Sequence, residues 1–159
     1  MLERVIGVGE YIISNNVDDV LKIYGLASCI GMVMYCPNIK VLAMGHFLLP
    51  TADINPELSL ISPAYFVDTG IVVMVDNICR DYCYNKENIV VSIYGGAESR
   101  VEGDVFNMGN RNVQSVKAKM DEYHMRISYS ATGGKVSRTL EVDVETGAAK
   151  LRLQPTHII

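Results

Sequence analysis

Residues 25–50 read GLASCIGMVMYCPNIKVLAMGHFLLP. Two apolar runs within them, 30–36 and 40–48, stand on either side of a short turn that contains a proline, and this pattern predicts two neighbouring strands. One thiol, Cys29, directly precedes the first run, and one imidazole, His46, lies near the end of the second. Because a thiolate is a nucleophile and an imidazole is the usual base that helps to form it, the pair predicts a cysteine-dependent catalytic site.

Small residues precede the thiol. Gly25, Ala27 and Ser28 leave room for a substrate backbone and for main-chain N–H groups directed at an oxyanion. A structural interpretation is open as well, in which Cys29 is a small buried side chain and His46 is a hydrogen-bonded histidine of the core. The pair by itself does not decide between these two interpretations.

The rest of the chain alternates between extended and helical patterns. Extended segments are predicted at 4–13, 21–24, 30–36, 40–48, 89–94, 126–131, 136–143 and 149–154. One helix is predicted from Pro63 to about Tyr82, and a second one after Asn107, whose side chain is placed to cap it. Strands outnumber helices and cluster towards both ends of the chain, which indicates an α+β sandwich.

The composition indicates one domain over residues 1–159. With 159 residues, of which 49% are hydrophobic, the chain is long enough to bury a core. A net charge of −4 argues against nucleic acid as a partner, since phosphate binding requires clustered Lys and Arg. The longest apolar run, Ile71–Val75, is far too short to span a membrane, and the first residues do not resemble a signal peptide. We therefore expect a cytoplasmic protein without direct membrane insertion.

The remaining cysteines and histidines offer no second site. The four cysteines contain no Cys-x-x-Cys pair, which indicates free thiols in a reducing compartment and no metal site. Cys79 and Cys83 would share one helical face and are expected to be core or partly buried thiols. His124 lies at the end of a helix and His157 in the tail, so His46 is the candidate base.

Several short motifs follow one another in an order known from one family. The segment Gly-Leu-x-Ser-Cys ends at Cys29, and the segment His-x-x-Leu-Pro begins at His46. The other matching segments are Val5–Tyr11, Tyr94–Ala97, Asn107–Asn112, Thr132–Gly134 and Glu145–Gly147. On these motifs the chain resembles the chemoreceptor glutamine deamidase family, CheD.

The resemblance implies two packed β-layers with helices on one side, a fold related to the catalytic domain of cytotoxic necrotizing factor toxins. It implies that Cys29 attacks a protein glutamine, that His46 is the base, and that no metal or organic cofactor is required. The implied substrates are methyl-accepting chemoreceptors, modified in their cytoplasmic helical region, and the implied partner is a CheC-type phosphatase. Gly95 and Gly96 are expected in a loop near the nucleophile, although such a doublet is also typical of a strand end.

One departure from the family pattern lies at Ile23, where the family has a threonine of its catalytic constellation. Isoleucine cannot form a hydrogen bond, so another group has to orient His46: Ser28, a main-chain carbonyl or a water molecule. Tyr24 is expected to point away, because alternate residues of an extended segment face opposite sides. Ala27, where the family usually has glycine, is a smaller departure.

Three functions stay open on the sequence. The first is an active deamidase, and the second is a regulatory or binding module, weakened by Ile23, that docks to receptors or to a CheC-type phosphatase. The third is a cysteine hydrolase with another amide or ester substrate, since a catalytic pair does not fix its substrate. Thr51–Ser62 is expected to be a loop that helps to receive the receptor helix. Asn107 and Arg111 either shape the site or start a helix and pair with a carboxylate.

Overall fold

The computed structural model describes residues 2–99 and 105–155. Within these residues the chain forms nine strands and three α-helices. The strands are β1 (Leu2–Val5), β2 (Tyr11–Ser14), β3 (Asp19–Leu26), β4 (Ile30–Cys36), β5 (Val41–Phe47), β6 (Val90–Gly95), β7 (Ile127–Thr132), β8 (Val136–Asp143) and β9 (Ala149–Pro155). The helices are α1 (Pro56–Ile61), α2 (Val67–Asp81) and α3 (Met108–Glu122), and short 3-10 turns lie at Ala52–Ile54, Pro63–Tyr65 and Lys86–Asn88.

The strands form two mixed sheets. The four-stranded sheet has the order β1-β3-β8-β9, and the five-stranded sheet has the order β2-β5-β4-β6-β7. The two apolar runs that flank the proline turn form antiparallel partners, from Ile30 opposite Phe47 to Cys36 opposite Val41. β6 and β7 are parallel, and α3 lies in the crossover connection that a parallel pair requires. β4, which follows Cys29, is therefore the central strand of the larger sheet.

Apolar side chains form two core layers. On one face of the five-stranded sheet, Met32 of β4 belongs to a cluster with Met74 of α2 and with residues of α3. On the other face, Val33 of β4 belongs to a cluster with Ile23 of the four-stranded sheet. Because β4 is buried on both faces, it reads as a continuous apolar run. The predicted α+β sandwich with helices on one side is confirmed, whereas the domain extent of 1–159 stays a prediction.

The strand predicted over 4–13 is wrong as a single element. The chain forms β1 in the four-stranded sheet and β2 in the five-stranded sheet, with a turn between them. Gly9 has a φ of +79°, a conformation that glycine adopts without strain. The Ile6 N–H donates to the Lys22 carbonyl at 2.9 Å and the Gly9 N–H donates to the His46 carbonyl at 2.8 Å. The segment between β1 and β2 is therefore hydrogen-bonded to the four-stranded sheet at one end and to the five-stranded sheet at the other.

The helix predicted from Pro63 begins later than expected. Pro63 opens a 3-10 turn, and α2 begins at Val67 because the preceding residue is extended. The segment predicted as a loop contains α1, whose N-cap residue Asn55 accepts a hydrogen bond from the Leu58 N–H at 3.2 Å. Asparagine followed by proline is a helix-start signal, so α1 is visible in the sequence in retrospect.

α3 begins directly after Asn107, but that side chain does not cap it. Asn107 has φ 43° and ψ 51°, whereas a capping side chain usually requires an extended backbone at the N-cap. The predicted cap is therefore wrong, although the predicted start of the helix is confirmed. Throughout residues 2–99 and 105–155, no helix combines the length and the apolar character needed to cross a membrane.

Candidate active site

Cys29 lies in the short segment that leads from β3 in one sheet to β4 in the other. The carbonyl of Ala27 accepts a hydrogen bond from the Ala97 N–H at 2.7 Å, and the carbonyl of Ser28 accepts one from Nδ2 of Asn112 at 2.9 Å. In a trans peptide the N–H points away from the carbonyl of the preceding residue. The N–H groups of Ser28 and Cys29 therefore point away from these supporting groups.

Gly95 and Gly96 adjoin the segment that contains Cys29. The Gly96 N–H donates to the Cys29 carbonyl at 2.9 Å, and a Cβ at residue 95 would clash with the oxygen of that same carbonyl. Their φ values, +103° and +58°, lie in the region that favours glycine. The doublet both ends β6 and adjoins Cys29, so both sequence interpretations describe its position. Gly25, with a φ of +65°, has open space beside its Cα; a role in substrate binding stays a prediction for all three glycines.

His46 lies in β5 opposite Gly31 of β4 and is 5% exposed. It lies on the same side of β5 as Met44, which belongs to the core between the sheets. Its Nδ1 is 3.2 Å from the carbonyl oxygen of Ile6. Because a carbonyl oxygen can only accept, Nδ1 carries the proton of the neutral ring and Nε2 keeps a lone pair. His46 can therefore accept a proton at Nε2.

The strand register places the thiol near the imidazole. The pairing of β4 with β5 ends at Ile30 opposite Phe47. Extending it by one residue puts Cys29 diagonal to His46, a relation in which Cα atoms are roughly 7–8 Å apart. Cys29 also packs against the core between the sheets, which is the layer that His46 faces. The register thus places both side chains on the same face of the sheet, in adjoining positions.

Burial favours the neutral forms of both groups. Desolvation raises the pKa of Cys29 from 9.0 to about 11, while a hydrogen bond from its own backbone N–H opposes the shift. Desolvation lowers the pKa of His46 from 6.5, and the hydrogen bond with Ile6 and the charge of Glu10 oppose that lowering. The substrate-free protein therefore holds a neutral thiol and a neutral imidazole at pH 7.

Ile23 lies beside the candidate base as part of the hydrocarbon core. It is fully buried between the sheets, and its Cδ1 would be 3.5 Å from a Cβ on Gly31, the residue paired with His46. Tyr24 points away as predicted, because its hydroxyl donates to Oε1 of the exposed Glu3 at 3.1 Å. A main-chain carbonyl, one of the groups that the sequence leaves open for orienting the imidazole, contacts it in the described part of the chain.

Sequence reasoning missed two buried polar residues at this site. Asn112 of α3 is fully buried and donates to the carbonyls of Ser28 and Leu48 at 2.9 and 3.0 Å. Arg138 of β8 is 6% exposed and donates to the carbonyls of Gly95 and Gly133 at 3.3 and 2.9 Å. Burial lowers the pKa of Arg138. The signal for Asn112 was its position beside the apolar stripe of the helix, in the same motif as Asn107 and Arg111.

The other thiols and histidines lie elsewhere. Cys79 is half-buried and Cys83 is exposed, His124 follows α3, and the predicted tail position of His157 lies outside the described residues. In the two ranges that the structure describes, no group of three or more His, Cys, Asp and Glu side chains is arranged to hold a metal ion.

The sequence matches the family model described as CheD chemotactic sensory transduction over residues 48–153. It is 33% identical over 148 residues to the "Probable chemoreceptor glutamine deamidase CheD" of Syntrophotalea carbinolica, covering 92% of this chain and 91% of that protein. It is 32% identical over 151 residues to the "Chemoreceptor glutamine deamidase CheD" of Thermotoga maritima, covering 95% and 92%. A third relative, from Pyrococcus abyssi, is 30% identical over 152 residues, covering 94% and 91%. Since the match to the family model spans more than half of the chain and the relatives align over nearly all of it, the protein belongs to the CheD family.

Proposed function

We propose that this protein is a glutamine deamidase of methyl-accepting chemoreceptors, with Cys29 as nucleophile and His46 as base. One observation carries the proposal: the hydrogen bond between Nδ1 of His46 and the Ile6 carbonyl leaves Nε2 free to accept a proton on the side of the sheet where Cys29 lies. The names of the curated relatives, which are chemoreceptor glutamine deamidases, support the substrate.

The neutral state of both groups supports general-base catalysis during the attack. His46 Nε2 takes the proton of the Cys29 thiol as Sγ attacks the carboxamide carbon of glutamine. The oxyanion is held by the N–H groups of Ser28 and Cys29. The protonated imidazole then gives its proton to the amide nitrogen, the C–N bond breaks, and ammonia leaves a thioester.

Hydrolysis of the thioester uses the same base in a second cycle. His46 takes a proton from a water molecule as the water oxygen attacks the thioester carbon. The C–S bond breaks, the imidazole returns a proton to the sulfur of Cys29, and the side chain of the substrate leaves as a carboxylic acid, which loses its proton to water and becomes glutamate. Water is the only co-reactant that this sequence of steps requires.

The surface beside the base supports a helical substrate. α1 lies within Thr51–Ser62, the segment predicted to receive the receptor helix, and carries Leu60 and Ile61 with exposures of 87% and 84%. Directly after α1, the Ser62 hydroxyl donates to the Gly9 carbonyl at 3.0 Å, and the Gly9 N–H bonds the His46 carbonyl. We propose that this apolar end of α1 contacts the cytoplasmic helical region of the receptor, and that a CheC-type phosphatase competes for the same surface.

Mass spectrometry of receptor fragments tests the proposal. Incubation with the wild-type protein is expected to convert specific glutamines to glutamate, and Cys29→Ala and His46→Ala are expected to abolish or strongly slow the conversion. Cys83→Ala is the matched control, because this exposed cysteine lies outside the site and its replacement should leave the rate unchanged. Conversion that persists in Cys29→Ala would contradict the proposed nucleophile.

A second candidate function follows from one observation, the buried hydrocarbon of Ile23 beside the base. A module with weakened chemistry would bind receptor fragments or a CheC-type phosphatase without converting glutamine. Binding of the wild-type protein to the fragments without any conversion would favour this function over the deamidase.

A further inference from the structure

We propose that Asn112 is a positioning residue that holds the segments of Cys29 and His46 at their working separation. The inference rests on the proposed deamidase function, since it assigns a task to a residue that does not itself touch the reacting atoms. Asn112 is a buried side chain on α3, which packs on the helix-covered face of the five-stranded sheet. The two groups proposed to react face the core between the two sheets.

The two hydrogen bonds of Asn112 join both halves of the site. Its amide group donates to the carbonyl of Ser28, which directly precedes the nucleophile, at 2.9 Å. It also donates to the carbonyl of Leu48, two residues after the base, at 3.0 Å. An amide nitrogen carries two hydrogens, so one for each carbonyl uses its full donor capacity.

The two hydrogen bonds of Asn112 lie just beyond the end of a strand pair. The pairing of β4 with β5 ends at Ile30 opposite Phe47, so the strands no longer hold each other at Ser28 and Leu48. Asn112 supplies a connection beyond the last pair, to a carbonyl two residues before Ile30 and to another one residue after Phe47. Loss of the amide would leave the carbonyls of two half-buried residues without this donor and would free the segment to move.

A purely structural role explains the residue less well. Asn112 is fully buried, and its Oδ1 has no hydrogen-bond partner among the described residues. A buried amide oxygen without a partner destabilises a fold, and an aliphatic side chain like that of the neighbouring Val113 would avoid this penalty. The contribution of the amide therefore lies in the two carbonyls that it holds.

Two variants and one matched control test this role. Asn112→Asp keeps the shape of the side chain but places a carboxylate against two carbonyl oxygens. Asn112→Ala removes the amide without burying a charge, and it is the variant to use if Asn112→Asp fails to fold. The control is Ser115→Ala, one turn further along α3, which loses a hydrogen bond to the Pro50 carbonyl of 2.6 Å but leaves Ser28 and Leu48 untouched.

The kinetic measurement separates kcat from KM for a receptor fragment. We expect kcat of both Asn112 variants to fall on the order of 100-fold, as for a catalytic group displaced by about 1 Å, with KM within about twofold of wild type. Ser115→Ala should keep both constants within about twofold. An Asn112→Ala protein that is folded and has the kcat of Ser115→Ala would overturn the inference.

A second measurement does not depend on deamidation. Iodoacetamide labelling is followed for each cysteine, with exposed Cys83 as reference and buried Cys36 as reporter of global folding. In Asn112→Ala, labelling of Cys29 relative to Cys83 should rise, because a loosened segment exposes the thiol, while Cys36 stays protected. An unchanged ratio would contradict the positioning role. Absence of conversion by the wild-type protein would instead contradict the proposed function, so the two failures are distinguishable.

Discussion

Replacing Ile23 by threonine introduces the hydroxyl that the family resemblance implies at this position, yet we expect the deamidation rate hardly to change. The neutral imidazole has one N–H, and Nδ1–H is already directed at the Ile6 carbonyl. A threonine hydroxyl could then only donate to Nε2, where it would compete with the proton of Cys29. The main-chain carbonyl thus already performs the orienting task for which a third side chain is used elsewhere.

The effect on stability is larger, because Ile23 is fully buried. Ile23→Val removes one methylene group and should lower the free energy of unfolding by about 1 kcal/mol. Threonine has the shape of valine but carries a hydroxyl, and a buried hydroxyl without a partner costs about 1–3 kcal/mol more. We therefore expect Ile23→Thr to lose about 2–4 kcal/mol in total.

The comparison of the two variants isolates the hydroxyl. Urea unfolding gives the free energies, and deamidation of a receptor fragment is followed by mass spectrometry at a temperature at which both variants are folded. We expect the deamidation rates of the threonine and valine variants to agree within about twofold, because Nδ1–H of His46 already has its partner. A hydroxyl that acted as a positioned acid–base group would contribute about 100-fold or more. A ratio of tenfold or more would refute the reasoning and would show that Ile6 does not suffice to orient His46.

The remaining predictions concern pH, backbone and partner. Because the pKa of His46 is lowered and a base must be neutral, kcat/KM should fall only below pH 6.5 and should stay flat from pH 7 to 9; a loss of activity in that alkaline range would indicate a preformed thiolate–imidazolium pair. The unfolded chain binds a proton at His46 at a higher pH than the folded one, so the free energy of unfolding should fall as pH drops below about 6.5, by at most about 1.4 kcal/mol per pH unit, and this loss should be absent in His46→Gln. Gly95→Ala should disrupt the Cys29 segment and activity, whereas Gly133→Ala, also at positive φ but without a neighbour within 4 Å, should cost only about 1–2 kcal/mol in unfolding experiments. A CheC-type protein should suppress deamidation by competition; simultaneous, independent binding of receptor fragment and phosphatase would contradict a shared surface.

The pattern of apolar residues was sufficient to predict a strand where the segment is bounded by a turn and is buried along its whole length. β4 and β5 were predicted as strands because a proline turn separates two apolar runs; both strands are confirmed, and the structure shows that they pair. The same reasoning failed at 4–13, where one apolar run serves two sheets. A pattern of alternating residues does not record which sheet each half joins, and the crossing is fixed by hydrogen bonds to distant strands.

Of the candidate site, only the two side chains that we propose to react could be found from the sequence. Thiol and imidazole are rare chemical groups that a sequence displays directly, and short motifs mark Cys29 and His46. Ile6 and Asn112 were not predictable in this way, because Ile6 acts through a carbonyl that every residue has and Asn112 contacts carbonyls 84 and 64 residues away. Main-chain groups acquire such tasks only when the fold brings the segments together.

In the proposed mechanism, a main-chain carbonyl orients His46 in place of a third side chain. A carbonyl in a packed crossing between two sheets cannot rotate or ionise, so it fixes the tautomer of His46 more firmly than a hydroxyl does. It carries no net charge, however, and stabilises the imidazolium formed during attack less than a carboxylate would. The charge of Glu10 favours protonation of His46, but its effect on the pKa is smaller than that of burial. In the proposed mechanism His46 is therefore a well-oriented but weak base, which accepts the proton of Cys29 only while the sulfur is forming its bond to carbon.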